Sequence, residues 1–277
     1  MEMRTLHLTI SYSSLKWPIL VAYIRSLLIK FSVLDKLLFF NTEKGDVIKL
    51  ILFIPNNNKN FETYIVNELS EFLKKNPSKR NKSNLKPGES LWMNYPNNQV
   101  FLSDFNEERY LISNVDDRNI IFSFASLISS WLMKNPPAKK ELISAFMQLI
   151  ILFNRLFILE DILSKICVVI ESIEEKFELR QQPEVHIEIY KHVDQDLETN
   201  VKAIKQLIFC DNLLEFYDHR FLEFDYSLRL LPFKTESFMI FYPQLINQII
   251  LHFGVDYRVQ LYVLLLVKKC SMEVSVS

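Results

Sequence analysis

The chain has 277 residues, 49 % hydrophobic and 23 % charged, with a mean hydropathy of +0.07, a composition that supports a sizeable core and excludes a disordered or collagen-like polymer. The 32 Lys and Arg against 33 Asp and Glu leave a formal net charge of −1, which excludes a global electrostatic footprint for nucleic acid. Only three glycines are present, Gly45, Gly88 and Gly254, and neither a dinucleotide fingerprint nor a Walker loop can be built from glycines so scattered.

From Arg4 to Tyr12, Leu6, Leu8 and Ile10 alternate with Thr5, His7, Thr9 and Ser11, a period of two that predicts a half-buried strand. Ser13 and Ser14 can cap the next element, a helix with Pro18 in its first turn and Ile19, Tyr23, Leu27 and Phe31 at helical spacing. Leu34 to Phe40 and Val47 to Ile54 read as strands, joined by Asn41-Thr42-Glu43-Lys44-Gly45-Asp46 with the composition of a hairpin connection. Phe61, Ile65, Leu69 and Phe72 mark one face of a second helix. Residues 74 to 98 then turn basic and proline-rich and predict a loop.

A short strand from Gln99 to Phe105 precedes a helix-rich remainder that begins near Asp116. Helices are predicted over Ile120 to Lys134, Ala138 to Phe157, Leu159 to Phe177, Val193 to Phe216, Ser237 to Phe253 and Asp256 to Lys269, with Gly254 as a C-cap. The fold class is α+β: an N-terminal β-α-β-β-α unit with an antiparallel sheet (1–115), then a mainly helical two thirds (116–277), taken together as one domain over 1–277. Cys167, Cys210 and Cys270 are far apart, which argues against a disulfide framework or a zinc site and reads as core thiols in a reducing compartment. Met1-Glu2-Met3-Arg4 runs straight into the strand pattern, and the longest uncharged runs fall short of the roughly 20 apolar residues of a bilayer span. The expectation is a cytoplasmic protein with no membrane span.

Motif chemistry is sparse. His186-Ile187-Glu188 and His192 have a spacing that suits neither a helix nor a strand metal site, so neither a metal nor a cofactor is expected, and the five histidines read as surface or supporting groups. No Gly-x-Ser-x-Gly elbow is present, and no cysteine lies in an activating context. The stripe Phe146, Leu149, Ile150, Phe153 and Phe157 reads as core, and the pairs Glu174-Glu175 and Asp116-Asp117 as helix-surface charges.

Three stretches, in order, resemble the C-terminal elimination domain of class I lantibiotic dehydratases, shared with thiopeptide-type bacteriocin biosynthesis proteins. Leu37-Leu38-Phe39-Phe40-Asn41 followed by Val47-Ile48-Lys49-Leu50-Ile51-Leu52 resembles the paired strands "WFFxRY" and "HxRxRF". Asp104-Phe105-Asn106-Glu107-Glu108-Arg109-Tyr110 leading into Phe122 to Ser126 is similar to "YxPExxRYGG…ExxFxxDS". Tyr242 to Lys268, with Phe253-Gly254-Val255-Asp256, resembles the closing helix pair "SxxHMxxNRLFGxD…E…LLxLLxR".

The resemblance implies a protein of modified-peptide biosynthesis that acts on or binds a precursor peptide, with a larger glutamylating dehydratase subunit as a second partner; it assigns no oligomeric state. In the family, arginines of the sheet and a histidine of the closing helix eliminate glutamate, a task that needs a cation at the developing enolate and a group that moves protons. Here the arginine of "RY" is Asn41, the histidine of "HxR" is Val47, and the two sheet arginines fall on Lys49 and Ile51. The closing-helix histidine falls on Ile246 or Gln248, and the Gly-Gly after Arg109-Tyr110 is Leu111-Ile112. The resemblance therefore implies catalytic positions at Lys49, Arg109 and Gln248 and substrate-binding positions at Asn41 and Tyr110. Because lysine is no bidentate donor and glutamine shuttles no proton, two further readings stand beside elimination. One is a thiopeptide pyridine synthase, which joins two dehydroalanines by aza-cycloaddition on this scaffold; the other is a non-enzymatic helical interaction protein.

Overall fold

The computed structural model describes residues 3–33, 36–41, 46–55, 60–79, 96–102, 115–157, 159–209, 212–232 and 234–272. Four strands form one antiparallel sheet in the order β2-β3-β1-β4: β1 (Met3–Ser11), β2 (Lys36–Asn41), β3 (Val47–Pro55) and β4 (Gln99–Leu102). The alternation of β1 sets the register: Leu8 faces Leu50 and Ile10 faces Ile48, while Thr9 faces Lys49. A slip of one residue would place the leucines and isoleucines on the wrong face, so the pattern leaves one pairing. The N-terminal β-α-β-β-α order and the antiparallel sheet are as the sequence predicts.

On one sheet face lie α1 (Trp17–Lys30) and α2 (Phe61–Lys75). Trp17 is fully buried and stacks on Phe40 at 4.7 Å, and its indole Nε1 donates to the Tyr12 carbonyl at 3.0 Å. Tyr23 stacks on Phe72 at 4.2 Å and donates to Glu68 at 2.9 Å. Phe72 was expected on the buried stripe of α2, but that place belongs to Leu73, one helical turn after Leu69. The chain after α2 is knotted to the end of β1: Tyr12 Oη donates to the Asn76 carbonyl at 2.6 Å, the Ser13 N–H donates to Ser78 Oγ at 3.1 Å, and Asn97 Nδ2 donates to the Ser78 carbonyl at 2.7 Å. The stems of the predicted basic loop are thereby pinned together, and residues 80–95 lie outside those described.

The remainder is helical: α3 (Val115–Lys134), α4 (Leu142–Asn154), α5 (Leu159–Lys176), α6 (Pro183–Phe209), α7 (His219–Arg229), α8 (Thr235–Ile240), α9 (Tyr242–Phe253) and α10 (Tyr257–Met272). Boundaries differ from expectation at several ends, and α7 is not among the predicted helices. The predicted start at Ala138 is a 3-10 turn, Lys139–Glu141. α6 opens at Pro183 rather than Val193, because proline is preorganised for a first turn. The single helix expected over Ser237 to Phe253 is two; Pro243 has no N–H to carry one ladder through, so α9 starts afresh. Gly254 has φ 53°, the left-handed conformation that ends α9.

The chain divides into two compact units. One comprises residues 1–113, 125–142 and 251–254, and the other 114–124, 143–250 and 255–277. In the second, Phe146, Leu149, Ile150 and Phe153 are fully buried, as expected of the core stripe, together with Tyr242, which donates to Asn154 Oδ1 at 2.7 Å. Burial pushes the Tyr242 phenol far above its ordinary range. Along α5, α6 and α10, Tyr262 donates to Asp196 at 2.6 Å, Lys269 pairs with Asp194 and His186 meets Glu174 at 3.0 Å. Glu174 is thus a buried partner of a histidine and not the surface charge expected. Cys270 is a buried free thiol and Cys167 a half-buried one. Among the described residues no helix is long and apolar enough to cross a membrane.

Candidate functional site

The sheet face opposite α1 and α2 carries Thr5, His7, Thr9 and Ser11 of β1, because side chains alternate along a strand. Across the sheet, Phe39, Lys49, Thr9 and Phe101 form one row, and Leu37, Ile51 and His7 form the next. Lys49 and His7 are therefore diagonal neighbours on one face, roughly 7–8 Å apart at the backbone and within reach of a long side chain. Both are half-buried. Around them Leu37, Phe39, Val47, Ile51 and Thr9 are each 3 % exposed or less, so the cation and the imidazole stand on an apolar floor. Among the described strand residues of this face, Lys49 is the only Lys or Arg.

The end of α9 supports this floor. His252 is fully buried, and its ring lies 4.4 Å from that of Phe39, the cross-strand neighbour of Lys49. Its Nε2 is 2.9 Å from Ser129 Oγ, which also accepts the Leu38 N–H at 3.1 Å. β2 is an edge strand, and an edge N–H buried without an acceptor costs about 1–3 kcal/mol. Ser129 removes that cost and holds the imidazole with the same oxygen. The hydroxyl can accept twice and donate once, so it serves Leu38 and His252 in either histidine tautomer. Serine and histidine at this distance suggest a nucleophile and its base, but both are sealed from solvent. Their role is to position β2 and Phe39.

Of the sequence-predicted positions, Lys49 is on this face. Asn41 ends β2 opposite Val47. Gln248 is in α9 and only 3 % exposed, a buried amide rather than a helix-surface one; it belongs to the second unit, whereas Lys49 belongs to the first. Arg109 and Tyr110, like residues 103–105 of the predicted strand, lie outside the described residues. Two histidines were underestimated from sequence. His7 was legible, since its odd position in β1 places it with Thr9, the partner of Lys49. His252 stands one helical turn after Gln248 and just before Phe253-Gly254, and that spacing was its signal; buried against Phe39, it is one of the supporting histidines expected. His192 is exposed, 3.9 Å from Glu188. Among the described residues no group of three or more His, Cys, Asp or Glu could hold a metal.

The arrangement can donate a hydrogen bond from Lys49 to a carbonyl or oxyanion and offers at His7 a group that can take or give a proton.

Solved structures share the fold. One is TbtD, the pyridine synthase from thiomuracin biosynthesis, with a TM-score of 0.69 and 11 % identity over 99 % of this chain and 100 % of that one. Another is TsrL, with a TM-score of 0.61 and 9 % identity over 100 % of this chain and 96 % of that one. The chain therefore shares its fold with these two proteins. At such identities the likeness concerns the fold alone. No protein-family model and no curated protein sequence matches the chain.

Proposed function

We propose that the protein modifies a ribosomally made precursor peptide of the thiopeptide type, and that its reaction is cycloaddition between two dehydroalanines rather than elimination of glutamate. The observation that carries this reading is the end-to-end likeness to a pyridine synthase, 99 % of one chain on 100 % of the other. The sheet face adds a chemical reason. Cycloaddition is served by holding two alkenes in register, where correct placement is worth about 7–11 kcal/mol, and the half-buried Lys49 and His7 support such placement by fixing the amide between the alkenes. Lys49 donates to the amide oxygen whose carbon and nitrogen enter the new ring, favouring the hydroxy-imine form, and His7 moves the proton that this change displaces. Arg109, Asn41 and Tyr110 are kept as the catalytic and substrate-binding positions that the resemblance implies, Gln248, buried in α9, is kept as a supporting one, and all four are tested by the same assay.

The test uses the full chain and two synthetic precursors, one with two dehydroalanines and one glutamylated, followed by mass spectrometry. The expected result is ring formation in the first with loss of one water, which carries off the hydroxy-imine oxygen, and of the leader segment as its amide, and no change in the second. Lys49→Met is expected to lower the rate by about 10²–10³-fold, as for removal of one oxyanion donor. Loss of glutamate from the second precursor would replace this reading with elimination, and with it bring in the glutamylating subunit. If neither precursor changes or binds, the interaction-protein reading stands instead.

A further inference from the structure

The first helix carries a surface that none of the contacts above uses. Leu15, in the turn before α1, and Ile19 and Ile29 in α1 are 70, 56 and 68 % exposed, with exposed Ala22 and Ser26 between them. Positions 15, 19, 22, 26 and 29 alternate in steps of four and three, the spacing with which one helix offers a seam to another. At its C-terminal end the seam continues into an open groove of about 230 Å³, lined by Ser26 and Ile29 together with Met133 and Lys134 at the end of α3 and Pro136 just after it.

Charge says what covers it. α1 contains no Asp or Glu; Arg25 borders the seam on one side and Lys30 on the other, and Lys134 stands at the groove. Among the described residues neither Arg25 nor Lys134 is in a salt bridge. Lys30 hydrogen-bonds the Tyr64 hydroxyl at 3.1 Å and keeps its charge. A second copy of the chain would set these cations against their own kind. A lipid surface asks for a broad apolar face with outward aromatics, whereas Trp17 is fully buried and the exposed strip is one seam wide.

We propose that α1 is the docking surface for an acidic amphipathic helix of a partner protein, its apolar seam along Leu15, Ile19 and Ile29 and its carboxylates against Arg25, Lys30 and Lys134. The surface lies on the helix layer that covers the sheet face away from His7 and Lys49, so its use is independent of the chemistry proposed for them.

The probe is a synthetic helical peptide with leucines at heptad spacing and glutamates beside them, compared by fluorescence anisotropy with the same peptide carrying lysines. The glutamate peptide is expected to bind the full chain, more weakly as salt rises. Ile19→Glu with Ile29→Glu is expected to weaken binding by about tenfold or more, and Arg25→Glu with Lys134→Glu to reverse the preference toward the lysine peptide. Both double variants should keep the wild-type melting curve and precursor processing. Equal binding of the two peptides, or binding untouched by the Ile variants, overturns the proposal. So does adsorption to phosphatidylglycerol vesicles without peptide binding, or a dimer in sedimentation that Ile29→Glu dissolves.

Discussion

The sheet-bearing unit and the helical unit solve the problem of buried polarity differently. In the first, the ladder pairs the strands through their backbone, and one N–H of the β2 edge, that of Leu38, is taken up by a side chain, Ser129. In the second, every backbone ladder is local to its helix, and polar side chains pair from one helix to another: Tyr242 with Asn154, His186 with Glu174 and Tyr262 with Asp196. Register in the sheet determines which residues share a face, so chemistry can be read from strand parity. In the helices the facing partner depends on packing, which parity does not report.

Four measurements bear on this contrast. The largest effect is expected from Phe153→Ala in the helical unit, whose ring lies 5.1 Å from Phe124 and 5.6 Å from Tyr242; urea unfolding should show a loss of about 3–5 kcal/mol. A much smaller loss would mean that its aromatic core repacks freely. Ser129→Ala should cost about 1–3 kcal/mol and speed amide exchange at Leu38. If exchange at Leu38 is unchanged, the edge is not closed by this hydroxyl.

Asp218 caps α7 by accepting from the Arg220 N–H at 2.9 Å, and Asp218→Ala should lower stability by about 1 kcal/mol. The Arg220 guanidinium holds the Asp218 carboxyl below its ordinary value. Its contribution is thus present above about pH 4, the unfolded value, and is lost as pH falls through the lowered one. An acid titration of stability in which the variant keeps the wild-type slope would exclude this. The smallest effect lies in the sheet-bearing unit. Burial, helped by the hydrogen bond to Glu68, raises Tyr23 to about 12. Stabilisation from this neutral phenol is full below about pH 10, the unfolded value, and disappears as pH rises through about 12. Alkaline difference absorbance should lose a component titrating near pH 12 in Tyr23→Phe, while the later rise from the buried Tyr242 phenol remains.

Much of the fold was legible because its determinants are local. Leu6, Leu8 and Ile10 set strand parity, Pro18 and Gly254 mark the start and end of helices, and the stripe through Phe153 identifies a buried helix. The boundaries that shifted, at Pro183 and Phe241, depend on how a terminus is closed, and many closures have similar energy. Of the candidate site, Lys49 was found through resemblance and His7 could have been found through parity. Ser129 was not legible, since a serine in an apolar helix has many uses and its acceptor role needs Leu38 brought from 91 residues away.

The sequence by itself determined the α+β class, the antiparallel register and the absence of phosphate-cradling glycine loops, because period, turn chemistry and composition act over a few residues. Only the tertiary structure decided that His252 is buried beside Phe39, that Gln248 is a core amide, and that the seam of α1 stays open. Each of these depends on which distant surface removes a side chain from water. That follows from the summed burial of the whole chain and not from any short stretch of it.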